Sequence, residues 1–190
     1  MQLGTSAVHP RVVLLALVSF VLGTDSVVIV GMLSDMAVAL HVTEAAAGQL
    51  VSLFALTYGI GAPVFAAVSG RRPPNRVLIA AMVVFCAANV GCAFAESYPL
   101  LLTFRILAGC SAAVCSPLAF TLAAKTVQDE KRGRALSFVA LGGTAAVIIG
   151  GPLGTWVGEH WGWRLSFGVV AAAAGIAALA LLFSGMSRIP

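Results

Sequence analysis

Six apolar runs, each long enough to cross a bilayer, constrain this chain more than any other feature. They extend over residues 12–33, 45–69, 77–95, 100–124, 135–157 and 165–186. A transmembrane helix takes about 20 apolar residues, and every run reaches that length between charged or turn-forming boundaries. Backbone polar groups in lipid have to be satisfied within the segment, and these runs lack the alternation of barrel strands. The expected fold is therefore an all-α membrane protein. Composition agrees: of 190 residues, 60% are hydrophobic and 9% are charged, and the mean hydropathy is +1.02. Six spans at that length consume about 120 residues, and too few charges remain to dress a water-facing surface. A secreted domain, a disordered chain and a cytosolic enzyme with a water-filled cleft are excluded.

The basic residues set the orientation. Arg11, Arg71, Arg72, Arg76, Lys125, Lys131, Arg132, Arg134 and Arg188 fall on one side of the six spans, whereas the other side has Asp35, Glu44, Glu96 and Glu159 with Arg164 as its only basic residue. Both termini of this multi-pass chain are expected to be cytoplasmic. The net charge of +4 is scattered in short clusters, so no nucleic-acid partner is expected, since that needs a basic face. Cys86, Cys92, Cys110 and Cys115 lie inside apolar runs without a CxxC or a nearby histidine and read as small buried hydrophobes. The first run is too long for the apolar region of a signal peptide, and its removal would spoil the alternation of charge between the two sides.

The second three spans repeat the first three. Gly48-Gln49-Leu50-Val51-Ser52-Leu53-Phe54-Ala55-Leu56 matches Gly133-Arg134-Ala135-Leu136-Ser137-Phe138-Val139-Ala140-Leu141 at its Gly, Ser, Ala and Leu positions. Gly61-Ala62-Pro63 answers Gly150-Gly151-Pro152, and Arg76 answers Arg164, all at separations between 85 and 89 residues. An odd number of spans per copy inverts the copies across the membrane, a common plan of secondary transporters. The whole chain, 1–190, is expected to form one six-helix bundle, with 12–97 as the first three-helix repeat and 100–187 as the second.

In the fifth span Gly142, Ala146, Gly150, Gly154 and Gly158 place a small residue at every fourth position. Such a stripe lets a neighbouring helix approach closely. Pro152 removes one backbone donor and permits a kink. Static packing and a sliding or rocking interface both fit the pattern.

Two charges lie deep in spans. Asp25 is expected roughly 12–15 Å and Arg105 roughly 8–11 Å below the outer boundary, from a rise of about 1.5 Å per residue. A charge at helix centre costs about 2.5–3.5 kcal/mol on insertion scales, so the two invite pairing or a shared water-filled cavity. Asp25 and Arg105 are candidates for proton coupling or for the substrate cavity, with Asn89 and Ser111 beside them. Ser116, Thr121, Thr144, Gln49 and Tyr58 are weaker candidates, because such groups commonly bond to their own helix. Gly109-Cys110-Ser111 distantly resembles a rhomboid protease nucleophile, but that chemistry needs a histidine base, and His9, His41 and His160 all lie in loops or ends. No catalytic residue, metal site or cofactor is expected.

Taken together, these residues resemble the N-terminal half of a major facilitator superfamily transporter, over essentially the whole chain. The nearer likeness is to twelve-span drug/proton antiporters of the arabinose-efflux and chloramphenicol-resistance permease type. Their acidic motif in the first helix is echoed by Gly23-Thr24-Asp25-Ser26-Val27-Val28-Ile29-Val30-Gly31-Met32-Leu33, with Ser26 where many relatives have a second acid. Their arginine before a Gly/Ala run matches Arg105-Ile106-Leu107-Ala108-Gly109. The G-x3-G-x3-G-P motif is met at Gly143, Gly151 and Pro152 and broken at Val147. By resemblance, Gly143, Gly150, Gly151, Pro152 and Gly154 serve conformational change and helix packing. The same resemblance implies a cytoplasmic loop gate at Gly70, Arg71, Arg72 and Arg76, with Gly70 where the family has an aspartate.

The resemblance implies a secondary active transporter, a proton-coupled efflux antiporter of a drug or sugar working by alternating access, with protons, a small-molecule substrate and the lipid bilayer as partners. The other class carried forward is a half-size or truncated transporter, inactive alone or working as a homodimer or with a second six-helix half.

Overall fold

The computed structural model describes residues 9–69 and 73–185, and the side chains of all of these except 66–69. Gly70, Arg71 and Arg72 of the expected loop gate lie outside the described residues, as do both chain ends. Six helical crossings follow the apolar runs. The first comprises α1 (Pro10–Val28), a 3₁₀ turn (Ile29–Met32) and α2 (Leu33–Ala39). Then come α3 (Glu44–Ser69), α4 (Pro74–Phe94) and α5 (Tyr98–Thr126). The fifth crossing is broken into α6 (Arg132–Ala145), a π turn (Ala146–Gly150) and α7 (Gly151–Trp161), and α8 (Trp163–Phe183) is the last.

Local chemistry sets several boundaries. Pro10, Pro74 and Pro99 open their helices at positions where a backbone donor would be unpaired in any case. Gly162, at φ +90°, makes the reversal between α7 and α8 that a side chain would strain. The first crossing is longer than its apolar run, because α2 continues past Leu33 and buries Met36 and Ala37 while Asp35 sits in its first turn. The π turn lies directly before Pro152, which has no N–H to return to the carbonyl one turn back, so the helix accommodates the proline by widening there.

Packing is symmetric under exchange of the first three crossings with the last three. α3 lies along α5 as α6 and α7 lie along the first crossing, α4 pairs with α8, and α1 meets α5. Gly61 comes up against Ala113 just as Gly150 comes up against Thr24, so the two Gly-x-Pro segments occupy corresponding places in the two repeats. α1 and α5 form the centre: about half of the first and fourth crossings is buried (50% and 56%), against 17% for α3 and 22% for the fifth crossing.

The glycine stripe of the fifth crossing packs in register on α1, and the two helices run in the same direction. A Cβ on Gly142 would meet the backbone carbonyl of Ala16, one on Gly150 the Thr24 side chain, one on Gly154 Val28, and one on Gly158 the Met32 sulfur. A Cβ on Gly151 would meet Val27 Cγ2 at 2.9 Å. Gly143 differs from the others, since a Cβ there meets nothing within 4 Å.

Candidate functional site

Two apolar clusters fill the bundle. One contains Val21, Leu22, Phe54, Phe85, Ala88, Ala108 and Ala112, and the other Val28, Ile29, Met32, Leu50, Cys92, Leu101 and Phe167. Asp25, Asn89 and Arg105 fall in sequence between members of the two clusters on α1, α4 and α5, and all three are fully buried. Packing of α1 against α5 brings the two charges together, with Arg105 Nη1 donating to Asp25 Oδ2 at 2.9 Å. The Arg105 guanidinium also lies over the Phe54 ring at 4.2 Å and near the Phe167 ring at 5.7 Å, within the range at which a ring face attracts a cation.

The pair is held by one hydrogen bond instead of the two-pronged contact an arginine can offer a carboxylate. Asp25 Oδ1, Arg105 Nε and Nη2, and Asn89 Oδ1 have no hydrogen-bond partner among the described residues. Asn89 Nδ2 donates to its own helix at Phe85 O, at 3.1 Å. Buried polar atoms are nearly always paired, so this group of orphaned atoms on three neighbouring helices stands apart from the rest of the interior. Its charges keep hydrogen-bonding capacity for another partner.

Beside the pair lies a cavity of about 410 Å³ between α1, α3, α5 and α6, within the size range of small-molecule sites. Leu22, Phe54, Phe120 and Val139 supply apolar walls, and Ser19, Ser26, Tyr58 and Ser116 supply hydroxyls. Ser26 Oγ donates to Gly23 O at 2.7 Å. No charged side chain belongs to the lining, and Asp25 and Arg105 are absent from it although Leu22, Gly23 and Ser26 of α1 are present.

The expected site residues are therefore distributed unevenly. Asp25 and Arg105 meet; Asn89 lies buried on α4; Ser111 is turned back to Leu107 O at 2.8 Å and does not line the cavity. Thr121 and Thr144 likewise bond the carbonyl one turn back on their own helices, and Gln49 lies 3.0 Å from the Tyr98 hydroxyl. Gly150 and Gly154 are in the α1 contact, with Gly151 and Pro152 next to them, whereas Gly143 lines the cavity. Arg76 is exposed in the first turn of α4. Phe54, Phe167 and Phe120 escape a reading of the sequence, because a ring that holds a cation looks the same there as one that faces lipid. Ser19 escapes it because hydroxyls in spans are common, whereas Ser116 and Tyr58, weaker candidates from the sequence, both line the cavity.

Comparison with known proteins adds an independent line. A family model described as the Major Facilitator Superfamily matches residues 15–188. The chain is 34% identical over 174 residues to an uncharacterized MFS-type transporter, YbcL, of Bacillus subtilis (strain 168), covering 92% of this chain and 45% of that one. It is 36% identical over 177 residues to a chloramphenicol resistance protein of Streptomyces lividans, covering 93% and 44%. The chain thus spans less than half the length of these relatives. Among solved structures, the inward-open xylose transporter XylE from E. coli superposes with TM-score 0.78 at 20% identity, over 97% of this chain and 48% of that one. A bacterial homolog of the human lysosomal transporter Spinster, inward-facing, gives 0.80 at 21% identity over 95% and 43%. At such identity these structures establish the fold.

Proposed function

The chain belongs to the major facilitator superfamily, and on that premise we propose that it forms the substrate-binding wall of a proton-coupled antiporter that exports a small neutral molecule by alternating access. The observation that carries the reading is the buried, singly bonded Asp25–Arg105 pair beside an uncharged cavity. Protonating Asp25 neutralises the carboxylate and removes its Coulomb hold on Arg105; deprotonation restores it. Each protonation state thus favours a different packing of α1 against α5, and a ligand that binds one packing better shifts the equilibrium by its differential affinity.

The lining narrows the substrate class. A sugar presents many hydroxyls, and a site selective for it has to pair them; here a few hydroxyls are set among aromatic and aliphatic walls. That suits an amphipathic molecule with one apolar face and two or three polar groups. One relative is named a chloramphenicol resistance protein, which makes chloramphenicol the first compound to try. In inside-out membrane vesicles acidified within, its addition is expected to draw protons out, read by a pH-sensitive dye, and Asp25→Asn is expected to abolish the response. An undiminished response in Asp25→Asn would remove Asp25 from the coupling mechanism.

A second reading has its own observation. The helices that flank the cavity, α3 and the fifth crossing, are the least buried of the six, and the relatives are more than twice as long as the matched region. We infer that a second six-helix body, either the remainder of a longer transporter or another copy of this chain, faces α3 and the fifth crossing and closes the cavity. The basic loops on one side fit both copies lying in one orientation, in a bacterial inner membrane with Arg11 and Arg76 on the cytoplasmic side.

A further inference from the structure

Phe54 belongs to both the cavity and the ion pair. Its ring lines the cavity and carries the Arg105 guanidinium 4.2 Å from its centroid. It also lies parallel to Tyr58, with centroids 6.4 Å apart and planes within 6°, and Tyr58 is 36% exposed and part of the same lining. A continuous series of contacts therefore runs from the cavity through Tyr58 and Phe54 to Arg105 and Asp25. Gly109 explains how the ring comes to be there. Gly109 and Arg105 are one turn apart on the same face of α5, and a Cβ on Gly109 would meet the Thr57 hydroxyl and, at 2.8 and 3.3 Å, the backbone oxygen and Cα of Phe54. The backbone of α3 lies directly on α5 at this point, which brings the ring within reach of the guanidinium a turn away. Asp25 and Arg105 have 0% exposure behind it.

We propose that Phe54 is a positioning residue that closes the ion pair off from the cavity and couples cavity occupancy to it. A ligand seated against Tyr58 and Phe54 displaces the stack, moves the ring off the guanidinium and opens Asp25 to the cavity. This rests on the reading of Asp25 as the proton-coupling group, but access to Asp25 is measurable without transport. The test is modification of Asp25 by dicyclohexylcarbodiimide in membrane vesicles, followed by mass spectrometry of its peptide. Phe54→Leu keeps an apolar side chain but loses the ring that holds the cation, and it is expected to be modified about tenfold faster than the parent, while its melting temperature in detergent stays near the parent's. Phe54→Trp, which restores an aromatic face, is expected to return to the parent rate. Modification of Phe54→Leu at the parent rate, or of Phe54→Trp as fast as Phe54→Leu, overturns the proposal. An intact proton response in Asp25→Asn would instead sink the coupling reading and leave the labelling result standing, so the two failures are distinguishable.

Discussion

Asp25 and Arg105 neutralise each other in the interior, where both side chains are fully buried. Their energetics are therefore those of a pair: removing one partner leaves a charge uncompensated in the interior, at a cost of about 3–5 kcal/mol, whereas replacing both can be neutral or stabilising. Arg105→Leu alone is expected to lower the melting temperature in detergent sharply, and Asp25→Asn combined with Arg105→Leu is expected to recover most of the loss. A double variant no more stable than the single would show that the two charges do not compensate each other. These residues were legible in the sequence because a charge inside an apolar run is anomalous wherever it points. Their partners were not: Phe54 and Phe167 became visible as cation partners only when the helices were placed. Ser111, a candidate from the sequence, turned out to satisfy its own helix, a choice between two neighbouring acceptors that residue identity does not fix.

At the scale of the helices, the small-residue stripe was legible by its period of four, but its partner was not. The structure sets it on α1 and grades its members. Gly142 faces the Ala16 backbone, which cannot move aside, while Gly143, next to it in sequence, faces open space in the cavity. Gly142→Ala is expected to cost about 1–3 kcal/mol through overpacking, and Gly143→Ala to leave stability unchanged, both read by thermal unfolding in the same detergent. Gly158→Ala should fall between them, because the atom it meets first is the flexible thioether of Met32. Equal losses at 142 and 143 would mean that α1 and the fifth crossing are not in this register. The break in the fifth crossing follows from Pro152, which was evident in the sequence. That it takes the form of a π turn over Ala146–Gly150 depends on how the helix is held against α1. The extension of the first crossing through α2 was hidden by Asp35, which reads as a loop residue until Met36 and Ala37 are seen to be buried.

Over the whole molecule, six crossings and their repeat were readable because length and small-residue spacing survive in sequence, and the exchange symmetry of the packing is the form the repeat takes in space. Which faces stay uncovered was not readable, since lipid-facing and partner-facing helices are equally apolar. α3 exposes Leu56, Ile60 and Val64, and α8 exposes Ile176 on a different side of the bundle. If a second body covers α3, then in a background lacking the four native cysteines Ile60→Cys is expected to form a cross-link in membranes and Ile176→Cys is not; equal reaction at both positions would place the interface elsewhere. The central claim is that Asp25 carries the proton that drives export. The most direct measurement separates two modes of the reconstituted protein: exchange of labelled for unlabelled chloramphenicol, and uphill accumulation driven by a pH gradient. Asp25→Asn is expected to keep exchange, which needs only the rocking of the bundle, and to lose gradient-driven accumulation. Gradient-driven accumulation at the parent level in Asp25→Asn would contradict the claim.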